Sequence, residues 1–207
     1  MKKSFITLSV LMLLAAALFG CTRMVKYRIT EKFYIRTPIT VAVLPVYWEA
    51  EADKDAETIG RLFRTMSFDR LKELNYRPLK IADADKILSR LTGAALKKKE
   101  PDEVAGMLGV DAVIYTHIRK WKKDKFATYA YLGIDARFDM YSRDGVVLWR
   151  ADYGTKDSDI KLDRGPLELS IIKVYEPRIE RLITAVFSTL PVRKTGQGSE
   201  KFYDWLP

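Results

Sequence analysis

The order of apolar and polar residues along the chain changes period several times, and each period predicts a different element. From Ile39 to Val46 the sequence Ile-Thr-Val-Ala-Val-Leu-Pro-Val is almost continuously apolar and rich in β-branched residues. Such a run predicts a strand buried on both faces, ending at Pro45, which has no amide hydrogen to give to a ladder. Ile59, Leu62, Phe63, Met66, Leu71 and Leu74 then recur at three- and four-residue spacings, predicting a helix that packs on the first strand and stops near Asn75. Tyr76 to Ile81 reads as a short strand placed at an edge by Pro78. Asp83 can cap a following helix with Ala84, Ile87, Leu88 and Leu91 inside, ended by Gly93. Lys97-Lys98-Lys99 reads as a solvated loop, and Pro101 opens a short helix with Val104, Met107 and Leu108 inside and Gly109 past its end.

The second half is strand-rich. Val110 to Ile118 carries apolar or aromatic residues on both parities and belongs in the middle of the sheet. From Phe126 to Met140 the even positions are mostly apolar while the odd ones include Tyr129, Tyr131, Asp135, Arg137 and Asp139, the mark of a half-buried strand. Asp144-Gly145 signals a hairpin, with Val146 to Tyr153 returning antiparallel. Gly165-Pro166 opens a helical segment that Pro177 should break or kink, and Ile179 to Leu190 carries a helical stripe before Pro191. Together these elements predict an α/β fold, a mixed sheet with buried central strands, an antiparallel carboxy-terminal hairpin and packed helices, in a single domain over residues 38–191. Residues 192–207 differ in character: a polar, glycine-containing linker and then the aromatic tail Phe202-Tyr203-Asp204-Trp205-Leu206-Pro207. Such a tail either folds back onto its own domain or docks into a partner.

The first residues change the picture from fold to location. Lys2 and Lys3 precede a stretch, Phe5 to Phe19, that is apolar apart from Thr7 and Ser9. A spanning helix wants roughly 20 consecutive apolar residues, and this run is shorter, so residues 1–20 read as a secretory signal. Leu18-Phe19-Gly20-Cys21 resembles the bacterial lipobox, which implies removal of the signal, diacylation of Cys21 and acylation of the new amino terminus. Thr22, in place of an aspartate, implies sorting to the outer membrane, on its periplasmic face. Residues 21–37 then form a lipidated tether in which Arg23, Lys26, Arg28, Lys32 and Arg36 face one acid, Glu31. Beside a lipid anchor such a stretch either lies on anionic headgroups or stays solvated.

The formal charge of the chain is +9, and loss of Lys2 and Lys3 leaves 9 − 2 = +7. In an envelope compartment that balance points to phospholipid, lipopolysaccharide or glycan acids rather than nucleic acid. Cys21 is the sole cysteine, so no internal disulfide can form.

Candidate chemistry is sparse. His117 is the only histidine, and a lone histidine in a strand reads as a packed, hydrogen-bonded residue. Hydrolase triads and zinc sites therefore cannot be assembled. Leu44-Pro45-Val46-Tyr47-Trp48 lacks the glycines of a phosphate loop. The acids Glu49, Glu51, Asp53, Asp55 and Glu57 suggest a calcium loop, but Thr58 and Arg64 stand where an EF-hand needs glycine and glutamate; the acids read instead as company for the positive end of the next helix. A carboxylate pair between Glu49 or Asp53 and Asp135 or Asp139 stays open. Arg119 to Lys125 is the densest charge run, read as a charged hairpin turn or as a surface for anionic envelope material. No catalytic residue, metal or cofactor is expected, and the chain reads as no enzyme. Aromatic candidates for partner or surface contact are Trp48, Trp121, Tyr129, Tyr131, Phe202 and Trp205.

The order of lipobox, Val41-Ala42-Val43-Leu44-Pro45, amphipathic helix, Tyr76-Arg77-Pro78, Gly109-Val110-Asp111-Ala112-Val113-Ile114-Tyr115 and the Asp144-Gly145 hairpin with Leu148-Trp149 resembles a family of bacterial lipoproteins of unknown function that includes a Neisserial surface antigen. The likeness covers most of the mature chain. More distantly the chain is similar to the curli secretion lipoprotein, the penicillin-binding-protein activator lipoproteins and the amino-terminal domain of the Tol propeller protein. The resemblance implies a two- or three-layer α/β domain and an accessory role in envelope assembly or transport, and it supplies no catalytic residues. The expectation is a non-enzymatic, outer-membrane-anchored periplasmic lipoprotein with an envelope protein partner and self-association. The alternative is a binding module for an anionic lipid or glycan.

Overall fold

The computed structural model describes residues 24–90, 93–126, 129–160 and 171–194. The signal segment, Cys21, the Gly165-Pro166 helix start, Phe202 and Trp205 lie outside them. In chain order the elements are β1 (Lys26–Ile29), α1 (Glu31–Arg36), β2 (Thr40–Val43), β3 (Tyr47–Trp48), α2 (Ala56–Glu73), β4 (Arg77–Pro78), α3 (Ile81–Leu88), α4 (Gly93–Lys98), α5 (Pro101–Leu108), β5 (Ala112–Phe126), β6 (Tyr129–Ser142), β7 (Val147–Ile160) and α6 (Ile171–Phe187).

The strands form one mixed sheet of order β1-β7-β6-β5-β2-β4, with β3 also on β5. β2 runs parallel to β4 and β5, whereas β5, β6, β7 and β1 form an antiparallel meander. The two parities of β2 explain the layers. Val41 and Val43 join Ile59 and Phe63 of α2 and Ile183 and Phe187 of α6 in one core. Ala42 and Leu44 join Ala84 and Leu88 of α3 and Val104 and Leu108 of α5 in a second core on the opposite face. The parallel half is thus three layers thick.

Two polar contacts tie the parallel half together. Asp111, just before β5, accepts hydrogen bonds from the amides of Ile39 and Thr40 at 3.0 and 2.8 Å and from the Thr40 hydroxyl at 2.8 Å. Arg64 of α2 is buried, donates to the Val43 carbonyl through Nε and NH2 at 3.3 and 3.1 Å, and pairs with Asp85 of α3 at 2.8 Å. Arginine suits this place because its planar fork can serve a carbonyl and a carboxylate at once.

Several sequence expectations are corrected. The segment read as a tether contributes β1, paired with β7, and α1, whose Phe33 is buried; four residues of strand and six of helix are too short for periodicity to reveal. The first strand stops at Val43, and Trp48, expected in a loop, lies in β3. Arg119 to Lys125 is no hairpin turn: β5 continues through it to Phe126, where pairing with β6 outweighs the charge of the run. β7 likewise extends past Tyr153 to Ile160. Lys97 and Lys98 belong to α4 rather than to a loop. Lys80, not Asp83, occupies the N-cap of α3. Pro177 lies inside the continuous α6, where it costs one backbone donor but the packed stripe from Ile179 to Phe187 holds the element together. The expected turn at Asp144-Gly145 is present, with Gly145 at a φ of 73° that favours glycine.

Candidate interaction surface

The meander is covered differently on its two faces, and the alternation of β6 is the reason. Leu132, Ile134, Ala136, Phe138 and Met140 are buried on the side of α2 and α6. Asp135, Arg137, Asp139 and Tyr141 point the other way. There α5 reaches only the end near Tyr115 and Tyr141, and no other described helix packs over the rows beyond it. This leaves a sheet face of partly exposed charges.

Those charges interlock. Arg119 pairs with Asp135 at 2.6 Å and with Asp152 at 2.7 Å, Arg137 pairs with Asp152 at 3.0 Å, and Arg150 pairs with Asp139. The ladder spans β5, β6 and β7, with Arg137 directly opposite His117 on one side and Asp152 on the other. Arg137 is 37% exposed and Asp152 24% exposed at the side chain, so both stay reachable from solvent. The charges are firmly held: burial disfavours the Arg119 guanidinium, but Asp135 and Asp152 raise its pKa above the ordinary value. For Arg150 the hydrogen bond to Asp139 is the leading cause of the same upward shift. At the open edge, Lys26 and Arg28 of β1 stand opposite Asp152 and Arg150, and neither makes an ion pair among the described residues.

A bulge sets which side chains join this face. The β5–β6 register shifts between Ile118 and Lys120, so Arg119 is the extra residue and the side-chain phase reverses after it. Arg119 therefore turns to the ladder, while Trp121, opposite Ile134, turns to the core side. Trp121 meets Trp48 edge to face with ring centroids 5.8 Å apart and Tyr175 at 5.3 Å. Its indole N–H donates to Asp53 at 3.1 Å, and Asp53 also receives Lys123 at 2.7 Å. Burial pushes the Asp53 carboxyl up, but Lys123, the Asp55 amide and Trp121 together bring it below the usual range. Asp53 thus joins β5 to the start of α2, where it also accepts the amide of the N-cap residue Asp55, and Glu57 lies in the first turn of that helix as the acidic loop suggested.

His117 sits at the α5 end of the open face. Its Nδ1 lies 3.0 Å from Glu49, and its ring stacks on Tyr47 and Tyr115 at 5.4 and 6.3 Å, which makes it a packed histidine, as the sequence predicted. The hydroxyls of Tyr47 and Tyr115 are buried without a hydrogen-bond partner among the described residues, and burial raises both phenol pKa values. The carboxylates proposed as a pair are each engaged elsewhere: Glu49 with His117, Asp53 with Lys123, Asp135 with Arg119 and Asp139 with Arg150. What this face can do chemically is present fixed, complementary charge. Among the described residues no group of three histidine, cysteine, aspartate or glutamate side chains could hold a metal ion.

Of the aromatic candidates, the structure brings Trp48 and Trp121 together and places Tyr129 and Tyr131 on β6 opposite Phe126 and Asp124. Sequence reasoning named none of Arg137, Arg150 and Asp152 as site residues, and Arg119 only within the charge run read as a turn or an anionic surface. The signal was present in the alternating charges of β6, but recognising it required the partners on β5 and β7. A separate groove of about 500 Å³ lies where α1, the loop from Thr37 to Ile39, Tyr76 and the segment from Pro191 to Lys194 meet. The Tyr76 hydroxyl donates to the Pro191 carbonyl at 2.7 Å across its floor.

No family model matches the chain, and no curated protein matches it. Among solved structures it is similar to lipoprotein GNA1162 from Neisseria meningitidis, with 16% identity and a TM-score of 0.53 over 73% of this chain and 100% of that one. It is also similar to the PelC dodecamer from Paraburkholderia phytofirmans, with 14% identity and a TM-score of 0.45 over 79% of this chain and 97% of that one. A third likeness is to a minor lipoprotein from Acinetobacter baumannii, with 9% identity and a TM-score of 0.38 over 72% and 87%. The neighbours in structure include bacterial lipoproteins, and the first of them shares this fold. Among the described residues no helix is long and apolar enough to cross a membrane.

Proposed function

We propose that the chain is an outer-membrane-anchored periplasmic lipoprotein, held by lipid on Cys21, that works without catalysis as an accessory or assembly factor of a cell-envelope transport or export system. The observation that carries this reading is the uncovered face of the meander. A long four-strand surface has one side in the core and the other dressed with interlocked, partly exposed arginine and aspartate pairs. Pairs of this kind add little to stability when solvated, but arranged charge sets partner choice and orientation. A protein surface of complementary charge, or a second copy of the chain, is the partner that fits.

A photo-crosslinking residue placed at Arg137, in the centre of this face, should give discrete adducts in intact cells, and the same residue at Arg61, on the solvent side of α2, should give none. Adduct mass then separates a second copy from a different protein. No adduct at position 137, or equal yields at the two positions, contradicts the reading. The alternative, a binding module for an anionic lipid or glycan, draws on Lys26 and Arg28 at the edge of the sheet, which make no ion pair among the described residues.

A further inference from the structure

Six of the seven large apolar side chains that stand exposed among the described residues, Met24, Tyr27, Tyr34, Ile35, Ile39 and Val192, lie on β1 and its approach, on α1 and on the two segments that line the groove. Only Met107, on α5, stands elsewhere. α1 is the centre of this concentration. Phe33 is buried, yet Tyr34 is 64% and Ile35 80% exposed, so a single short helix anchors itself with one apolar side chain and offers two outward. Cations lie among them: Lys32 on α1 and Lys194 at the groove, while Lys26 and Arg28 of β1 point to the other face of the strand from Tyr27. Glu31 is the one acid between Met24 and Thr37, and Arg36 is occupied by Asp144.

We propose that this end of the domain is a bilayer-contact surface for anionic phospholipid. The centre of a protein interface is depleted in lysine, whereas here Lys32 and Lys194 stand among the apolar side chains. That mixture suits the boundary between headgroups and acyl chains, where an apolar face sinks in and basic residues reach back to phosphate. Position agrees with composition: Met24 follows Cys21 by three residues, at most about 10 Å of extended chain. The inference uses the lipid-anchor reading for the place of Cys21 only. Contact through α1 would also fix the orientation of a domain that an acyl anchor alone leaves free to swivel.

The test uses the full chain, isolated from membranes and reconstituted into vesicles, with an environment-sensitive dye on Ile35→Cys or, as control, on Met107→Cys. On phosphatidylglycerol-containing vesicles the dye at position 35 should move to a lipid-like emission and the dye at position 107 should not. On neutral phosphatidylcholine vesicles the response should be weak. Replacing Lys32 or Lys194 by glutamine should lower the ratio of docked to undocked molecules about fivefold each, from about 1 kcal/mol per basic residue near an anionic surface. An aqueous emission at position 35 on anionic vesicles overturns the proposal, as does a shift that needs a protein extract rather than lipid. Flotation in high salt reports the anchor separately. A chain that floats with an unshifted dye refutes the contact surface and leaves the anchor standing, whereas a shifted dye on a chain that high salt releases supports the surface and refutes lipidation of Cys21.

Discussion

Replacing Phe138 by alanine should lower the stability of the domain by about 4 kcal/mol, the usual cost of emptying a buried aromatic site. Phe138 is fully buried on β6 and joins the two helices that cover its face. Its ring stacks on Phe63 of α2 at 6.4 Å and meets Phe187 of α6 edge to face at 5.8 Å. The neighbouring Trp149 of β7 also rests on Phe187 and donates its indole N–H to Thr189 at 3.0 Å. The loss therefore falls where sheet, α2 and α6 meet, and packing this dense collapses poorly around a void. Thermal unfolding should show a fall in Tm of about 10 °C, at about 2–4 °C per kcal/mol for a domain of this size. A fall of only a degree or two would mean that the two helices do not depend on this ring.

The second large effect is expected at Asp111, and it carries a pH signature. One carboxylate oxygen of Asp111 takes the Ile39 and Thr40 amides and the Thr40 hydroxyl, while the Asp111 amide donates back to the Thr40 hydroxyl at 2.9 Å. The exchange locks the start of β2 to the start of β5. Asp111→Ala leaves these donors without their acceptor and should cost about 3 kcal/mol. Burial works to raise the Asp111 pKa, but the bonds from Thr40 and Ile39 and the charge of Arg143 bring it below the ordinary value. Because the folded pKa is the lower one, the carboxylate stabilises the fold above the unfolded pKa of about 3.9, and that contribution fades as pH falls from there through the folded value. Asp111→Asn removes the charge with little change of shape. Its urea-unfolding free energy should lie below that of the parent at pH 7 and converge on it toward pH 2. A constant gap across that range would show that shape, not charge, matters at this position.

Much of the architecture was legible in the chain because burial leaves a period. The continuous apolar run at Thr40–Val43, the stripe of α2 and the alternation of β6 each announce how many faces of an element are covered. What escaped had no period to show. β1 and α1 are four and six residues long and are held by long-range pairing with β7 and by buried Phe33. The continuation of β5 through Arg119, Lys120, Lys122 and Lys123 was hidden because one face of the meander stays open and charged, so polar residues there are compatible with a strand. The bulge at Arg119 then reversed the phase that alternation would have extrapolated. For the candidate surface, the residues of β6 could be read as polar and outward, but the pairing that turns them into a ladder depends on which strands lie beside β6. Sheet order is a long-range property that a local pattern does not contain.

The proposed function joins the open face of the meander to a lipid anchor near the start of the chain, and the most direct measurement addresses the anchor. Mass spectrometry of the amino-terminal peptide of the protein isolated from membranes should find a chain beginning at Cys21, with a diacylglyceryl group on its sulfur and an acyl group on its new amine. Cys21→Ala should then give a soluble or uncleaved product with the fold intact. An unmodified Cys21, or a mature chain that begins at another residue, would contradict the proposal of a lipid-anchored envelope accessory.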